Sequence, residues 1–116
     1  MNSANAFRIA AIVGFLAVAL GAFGAHGLKD VLLKNNTLDI WEKAAHYHLL
    51  HAVVLLFLAS RNPMPSASWL LIFFGVVIFS GSLYLLAYTG VRWLGAITPI
   101  GGMCLLAGWL ALAIKR

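Results

Sequence analysis

The chain has 116 residues, of which 63% are hydrophobic and only 9% charged, whereas a soluble domain carries roughly 25% charged residues. That composition cannot clothe a water-facing surface, and the reading is a single integral membrane domain over residues 1–116, too small for a catalytic domain beside a separate anchor. The net charge of +5 does not point to nucleic acid, because the basic residues are scattered singly between apolar runs; it implies an anionic lipid surface as partner.

The first predicted helix spans about 7–26, an apolar run with no charge after Arg8 and near the length that crosses ~30 Å of hydrocarbon. A cleaved signal peptide is the rival, with Ala22 and Gly24 as the small residues near its end. Gly14, Ala17, Gly21 and Ala25 recur at helical spacing and suit close helix packing instead, so the segment is expected to be retained. The polar stretch from Gly27 to Lys43 reads as a surface loop. Leu28, Val31 and Leu32 make its first half one or two amphipathic turns, Asn35 and Asn36 break them, and Asn36, Thr37 or Asp39 caps the next helix.

The second helix is expected over about 39–61. Lys43 and Arg61 bracket only 17 residues, so His46, His48 and His51 must lie within the membrane or its inner interface. Pro63 and Pro65 make a stiff turn, Ser66 or Ser68 caps a third helix over about 67–89, and Trp69 and Tyr88 suit the two aromatic belts. The short link from Thr89 to Trp93 returns the chain antiparallel into a fourth helix over about 94–114, flanked by Lys115 and Arg116. Pro99 is expected about one turn inside it, where with Gly101 and Gly102 it kinks the helix or permits close packing, and Trp109 is expected to anchor near the other surface. Gly14, Gly21, Pro99, Gly101, Gly102 and Gly108 are the predicted packing positions, within the chain or toward a homo-oligomer or membrane protein partner. Cys104 is a small core residue with no disulfide partner. The fold class is therefore all-α, an integral membrane four-helix up-down bundle with an interfacial loop between helices 1 and 2. Basic residues divide four against four between its two ends, so the positive-inside rule assigns no orientation.

Such a bundle brings His26, His46, His48, His51, Tyr84, Tyr88 and Thr98 into one leaflet. Measured from Lys43 and Arg92, His51 and Tyr84 each lie roughly 12 Å deep, which predicts that they meet; His26 should approach the start of helix 2. His48 and His51 share a face, His46 points elsewhere, and Ser80, Tyr84 and Tyr88 form an inward polar stripe. Three functional readings follow. His26, His48 and His51 could hold zinc or copper, a histidine and tyrosine chain could relay protons, or a lipid headgroup or quinone-like ligand could bind between helices. The plainer reading is that these groups, with Ser80 and Thr98, bond one another and helix carbonyls to fix register, and no cofactor is required. An enzyme is not expected: the three acids sit in the surface loop, Cys104 has no histidine beside it, and no phosphate-binding loop follows a strand.

Gly24-Ala-His-Gly27, Lys43-Ala-Ala-His-Tyr-His-Leu-Leu-His51, Phe79-Ser-Gly-Ser-Leu-Tyr84, Thr98-Pro-Ile-Gly-Gly102 and Gly108-Trp-Leu-Ala-Leu-Ala113 together resemble the YgdD/YwdK family of small bacterial inner-membrane proteins, from Phe7 to Ala113. The resemblance implies a multi-pass inner-membrane protein of unknown function with an uncleaved first helix. It places His26, Lys43, His48, His51, Ser80, Tyr84, Pro99 and Gly102 among the characteristic positions, and it favours the face of His48, His51 and Tyr84 over that of His46.

Overall fold

A computed structural model describes residues 2–114; the predicted flanks Lys115 and Arg116 lie outside the described residues. The order of elements is α1 (Ser3–Ala25), α2 (Lys29–Asn35), α3 (Leu38–Ala59), α4 (Ser66–Thr89), a 3₁₀ turn (Arg92–Ala96) and α5 (Thr98–Ile114), with no strand among the described residues. Three helical stretches are long and apolar enough to cross a membrane: Ser3–Ala25, Ser66–Thr89 and Arg92–Ile114. α3 is equally long, but Glu42, Lys43, His46, His48 and His51 lower its mean hydropathy.

Small residues set the helix contacts. α1 starts where the Asn2 carboxamide accepts the Asn5 N–H at 2.9 Å, a side-chain cap for the open first turn. Its buried stripe of Ala6, Ala10, Val13, Ala17 and Gly24 follows the three-to-four spacing of one helix face. That face lies on α3 in antiparallel register, with Gly14 toward Ala52, Gly21 toward Ala45 and Gly24 under the Trp41 ring. α3 and α4 are also antiparallel, joined at Thr37 and Ala87, Ala44 and Ser80, and Leu55 and Trp69. α4 and α5 continue the pattern, with Gly75 against Leu105, Gly101 against Phe79 and Gly108 against Ile72. Each long helix thus packs on its predecessor. Among the described residues α1 makes no close backbone contact with α4 or α5, which leaves a cleft between α1 and α4.

The polar connection does more than cap the next helix. Thr37 precedes α3 without capping it; its hydroxyl donates instead to the Ala87 carbonyl at 2.6 Å, wholly buried. Asn35 Nδ2 donates to the Ala87 and Tyr88 carbonyls at 3.2 and 3.0 Å. These are carbonyls in the last turn of α4, which have no partner within their own helix. Asn36 makes the reversal at φ 57°, and Gly90 ends α4 at φ 72°, a left-handed conformation that costs glycine little.

Several expectations are corrected. Pro99 is not a turn inside its helix: the chain first makes the 3₁₀ turn, and α5 begins at Thr98, so Pro99 sits in the first turn, where its missing N–H costs nothing. Neither Ser66 nor Ser68 caps α4. Trp69 is not at an interface; it is 0% exposed, stacked on Phe73 at 5.3 Å and donating Nε1–H to the Leu55 carbonyl at 3.2 Å. Gly24, not Ala25, continues the packing stripe of α1.

Candidate ligand-binding groove

The predicted polar cluster is divided into three separate groups by α3 and α4. At spacing three, His48 and His51 diverge by about 60° around the α3 axis, and that divergence sends them to different helices. His48 turns to α4, with Nδ1 2.9 Å from the Tyr84 hydroxyl, and also reaches the Val13 backbone of α1. His51 turns to α5, where Trp109 Nε1–H donates to its Nε2 at 3.0 Å, while its Nδ1 lies 2.8 Å from the Tyr47 carbonyl. An indole N–H only donates and a carbonyl only accepts. His51 is therefore neutral, protonated at Nδ1, and has both nitrogens engaged. Thr98 forms the third group with Ser82, their hydroxyls 2.6 Å apart.

His51 and Tyr84 do not meet because the register differs from the one expected. The pairs joining α3 to α4 set His51 opposite Phe73, about three helical turns from Tyr84. α3 begins at Leu38 and α4 ends at Thr89, so Lys43 and Arg92 do not mark equal depths. Trp109 lies in the last turns of α5 and is 45% exposed, and from there its N–H reaches inward to His51. Tyr88, counted in the inward stripe, is 51% exposed. His46 is exposed, and so is His26, at the C-terminal end of α1. His26 lies level with the first turn of α3, as expected from the register that sets Gly21 toward Ala45, but the side chain packed into that end is Trp41, which lies over Gly24 and donates to the Leu20 carbonyl at 2.8 Å. His26, His48 and His51 are thus not brought together, and among the described residues no three His, Cys, Asp or Glu side chains are placed to hold a metal ion.

We expect His51 and Trp109 to behave as one unit. In a double-mutant cycle with His51→Phe and Trp109→Phe, read by thermal unfolding in detergent, the single losses should fail to add by about 0.6 kcal/mol, the mean for hydrogen bonds between membrane helices. Strict additivity would show that the bond contributes nothing.

The His48 group faces the cleft. Between α1 and α4 runs a groove of about 460 Å³, walled by Ile9, Ile12, Val13, Leu16 and Leu20 on one side and Phe73, Val76, Val77 and Gly81 on the other. Its floor and polar end are His48, Ser80 and Tyr84. Ser80 donates to the Ala44 carbonyl at 2.9 Å, so its proton is committed to α3. Trp41, 4% exposed, lies beyond the polar end: it is bonded to Leu20 on one wall and its ring is 4.7 Å from that of Tyr84 on the other. The groove is therefore open sideways along apolar walls, and Trp41 packs against two of its lining residues, Leu20 and Tyr84, from outside it. Sequence reading identified His48, Ser80 and Tyr84 but missed Trp41, whose signal was the Gly24 that makes room for it one register step across α1.

Comparison with known proteins places the chain among uncharacterised membrane proteins. A family described as "Protein of unknown function (DUF423)" matches residues 20–102. A UPF0382 membrane protein of Staphylococcus epidermidis is 50% identical over 111 residues, covering 91% of this chain and 89% of its own length. A relative in Staphylococcus haemolyticus is 47% identical, covering 92% and 90%. The UPF0382 membrane protein YwdK of Bacillus subtilis is 42% identical, covering 91% and 90%, which bears out the family resemblance drawn from the motifs. No solved structure matches.

Proposed function

We propose that this chain, which belongs to the DUF423 family of membrane proteins of unknown function, is a non-enzymatic, multi-pass inner-membrane protein that receives a membrane amphiphile in the groove between α1 and α4. The four long helices cross the bilayer as one up-down domain. α1 and α4 each have the length and hydropathy of a span, and antiparallel packing on α3 starts both from the same end, so α3 must carry the chain back across. Its histidines are tolerable there because His48 and His51 are bonded to Tyr84, the Tyr47 carbonyl and Trp109, not left to hydrocarbon.

One observation carries the reading: a sideways-open apolar groove with a polar floor at one end, the form of a site that takes an amphiphile from the bilayer. Catalysis finds little support, since Asp30, Asp39 and Glu42 are exposed at one end of the molecule and the polar groups within the helices are spent on one another.

The test uses Gly81, where an added Cβ would meet nothing within 4 Å, so that Gly81→Leu fills the groove without straining the packing. With protein in nanodiscs and a diazirine-tailed fatty alcohol as probe, photolabelling should concentrate on Ile12, Leu16 and Val77. Gly81→Leu should suppress it severalfold while the outward residues Phe15 and Val18 label as before. Labelling of the groove no stronger than that of Phe15, or indifferent to Gly81→Leu, would overturn the proposal.

A further inference from the structure

We infer that a second cavity, at the end of the molecule where α3 gives way to α4, binds a phosphate oxyanion, the group carried by a phospholipid head or by free phosphate; this site is separate from the groove and does not depend on it. The cavity has a volume of about 330 Å³ and lies between the α3–α4 connection, the first turn of α4 and the last turns of α5, with Arg61, Pro65, Ser68 and Leu112 in its wall. Its chemistry follows from how α4 begins. Pro65 stands at the N-cap position and supplies no side-chain bond, and the first bond of the helix is the one that Trp69 N–H donates to the Pro65 carbonyl at 3.0 Å. The N–H groups of Ser66, Ala67 and Ser68 therefore have no partner among the described residues, and they form the positive end of the α4 dipole.

A second observation is independent of the helix end. Ser68 is 1% exposed, and its hydroxyl bonds to nothing among the described residues, whereas those of Ser60, Ser80 and Ser82 all donate to carbonyls. Every described side-chain polar atom sealed from the surface has a partner. The small area that Ser68 retains is therefore at its hydroxyl, turned into the cavity that the residue lines, with a proton to give to whatever lies there. The third observation is charge. Arg61 is exposed at the rim and has no acidic side chain near it, since Asp30, Asp39 and Glu42 all lie at the opposite end. The C-terminal ends of α3 and α5 also meet here and repel an anion. Each helix end amounts to about half an elementary charge, so the opening of α4 together with Arg61 outweighs them. Guanidinium, hydroxyl and backbone N–H groups are all donors, and a phosphate can turn oxygens to each of them. The cavity also stands where the apolar length of α4 begins, the level of the headgroup layer, which favours a lipid as the source.

The experiment is native mass spectrometry of the full chain released from detergent, counting bound phosphatidylglycerol as its concentration rises. Arg61→Gln should weaken binding at least about tenfold and Ser68→Ala about fivefold, the losses of a charge-assisted and a neutral hydrogen bond. Arg92→Gln, at the other end of the molecule, should leave it unchanged. Because the Ser68 hydroxyl has no protein partner, Ser68→Ala should melt like wild type without lipid, which separates lost binding from lost folding. Dioleoylglycerol, the same scaffold without phosphate, should not displace the bound lipid. Inorganic phosphate in a further arm identifies the source: no displacement at millimolar concentration assigns the site to a lipid head, and displacement assigns it to free phosphate. Binding as sensitive to Arg92→Gln as to Arg61→Gln, indifference to Ser68→Ala, or displacement by dioleoylglycerol would overturn the proposal and leave the groove standing.

Discussion

Gly101→Leu should leave little folded protein in detergent, whereas Gly81→Ala should melt at the wild-type temperature or slightly above. A Cβ on Gly101 would collide with the Phe79 backbone nitrogen and sit 2.7 Å from its Cα. Neither atom belongs to a side chain that can turn away, so α4 and α5 must part. The same seam holds Gly75 under Leu105 and Gly108 under Ile72, where added Cβ atoms would come within 2.8 and 2.5 Å, and separation loses those contacts together. Overpacking a core costs about 1–3 kcal/mol when side chains can yield; here the expected cost is about 3 kcal/mol or more. Apolar surface freed between membrane helices gains nothing by meeting lipid instead of water, because packing itself holds such helices together. Gly81 has open space where Gly101 has backbone, and alanine is worth up to about 1 kcal/mol more than glycine inside a helix. Fluorescence-detected size exclusion after a temperature series reads both, and equal melting of the two variants would refute the seam.

The second large effect is at Trp69. Trp69→Ala should lower stability by about 3–5 kcal/mol, the range for deleting a buried aromatic side chain. Trp93→Ala should change it little, since Trp93 is 68% exposed. Trp69 holds its ring on Phe73 and its N–H on the Leu55 carbonyl, so its removal opens a cavity between α3 and α4 and leaves no group of similar reach to fill it. Trp69→Phe should recover part of the loss. Similar melting of the Trp69 and Trp93 variants would restore the interfacial role that position along the chain suggests.

Helices and their order are legible in the sequence because apolar runs and breakers are local. Four long stretches, the amphipathic connection and the reversal at Asn35 and Asn36 all follow from residues within a turn or two of one another. Register between helices is less legible. It depends on where α3 starts and α4 stops, and taking Lys43 and Arg92 as the edges displaced His51 against Tyr84 by about three turns. The residues of the site, His48, Ser80 and Tyr84, were nonetheless found, since each is a polar group that must turn away from lipid. Their partners were not. The choice between His48 and His51 for Tyr84 is decided by about 60° of helix rotation and by the lean of two long side chains, neither of which leaves a trace in spacing. Trp69 is assigned to a membrane surface by the habit of tryptophan, yet it finds a buried acceptor for its N–H, the condition under which tryptophan is stable inside.

The Asn35 and Thr37 bonds to the end of α4 also impose a sequence on biogenesis. As the chain leaves the ribosome, α1, α2 and α3 are complete while Ala87 is still unsynthesised, so the first hairpin reaches the bilayer with Thr37 and Asn35 holding nothing but water. Only when the last turn of α4 arrives does that connection become dry and fixed. Assembly is thereby latched late, by a segment translated some fifty residues after the residues that grip it.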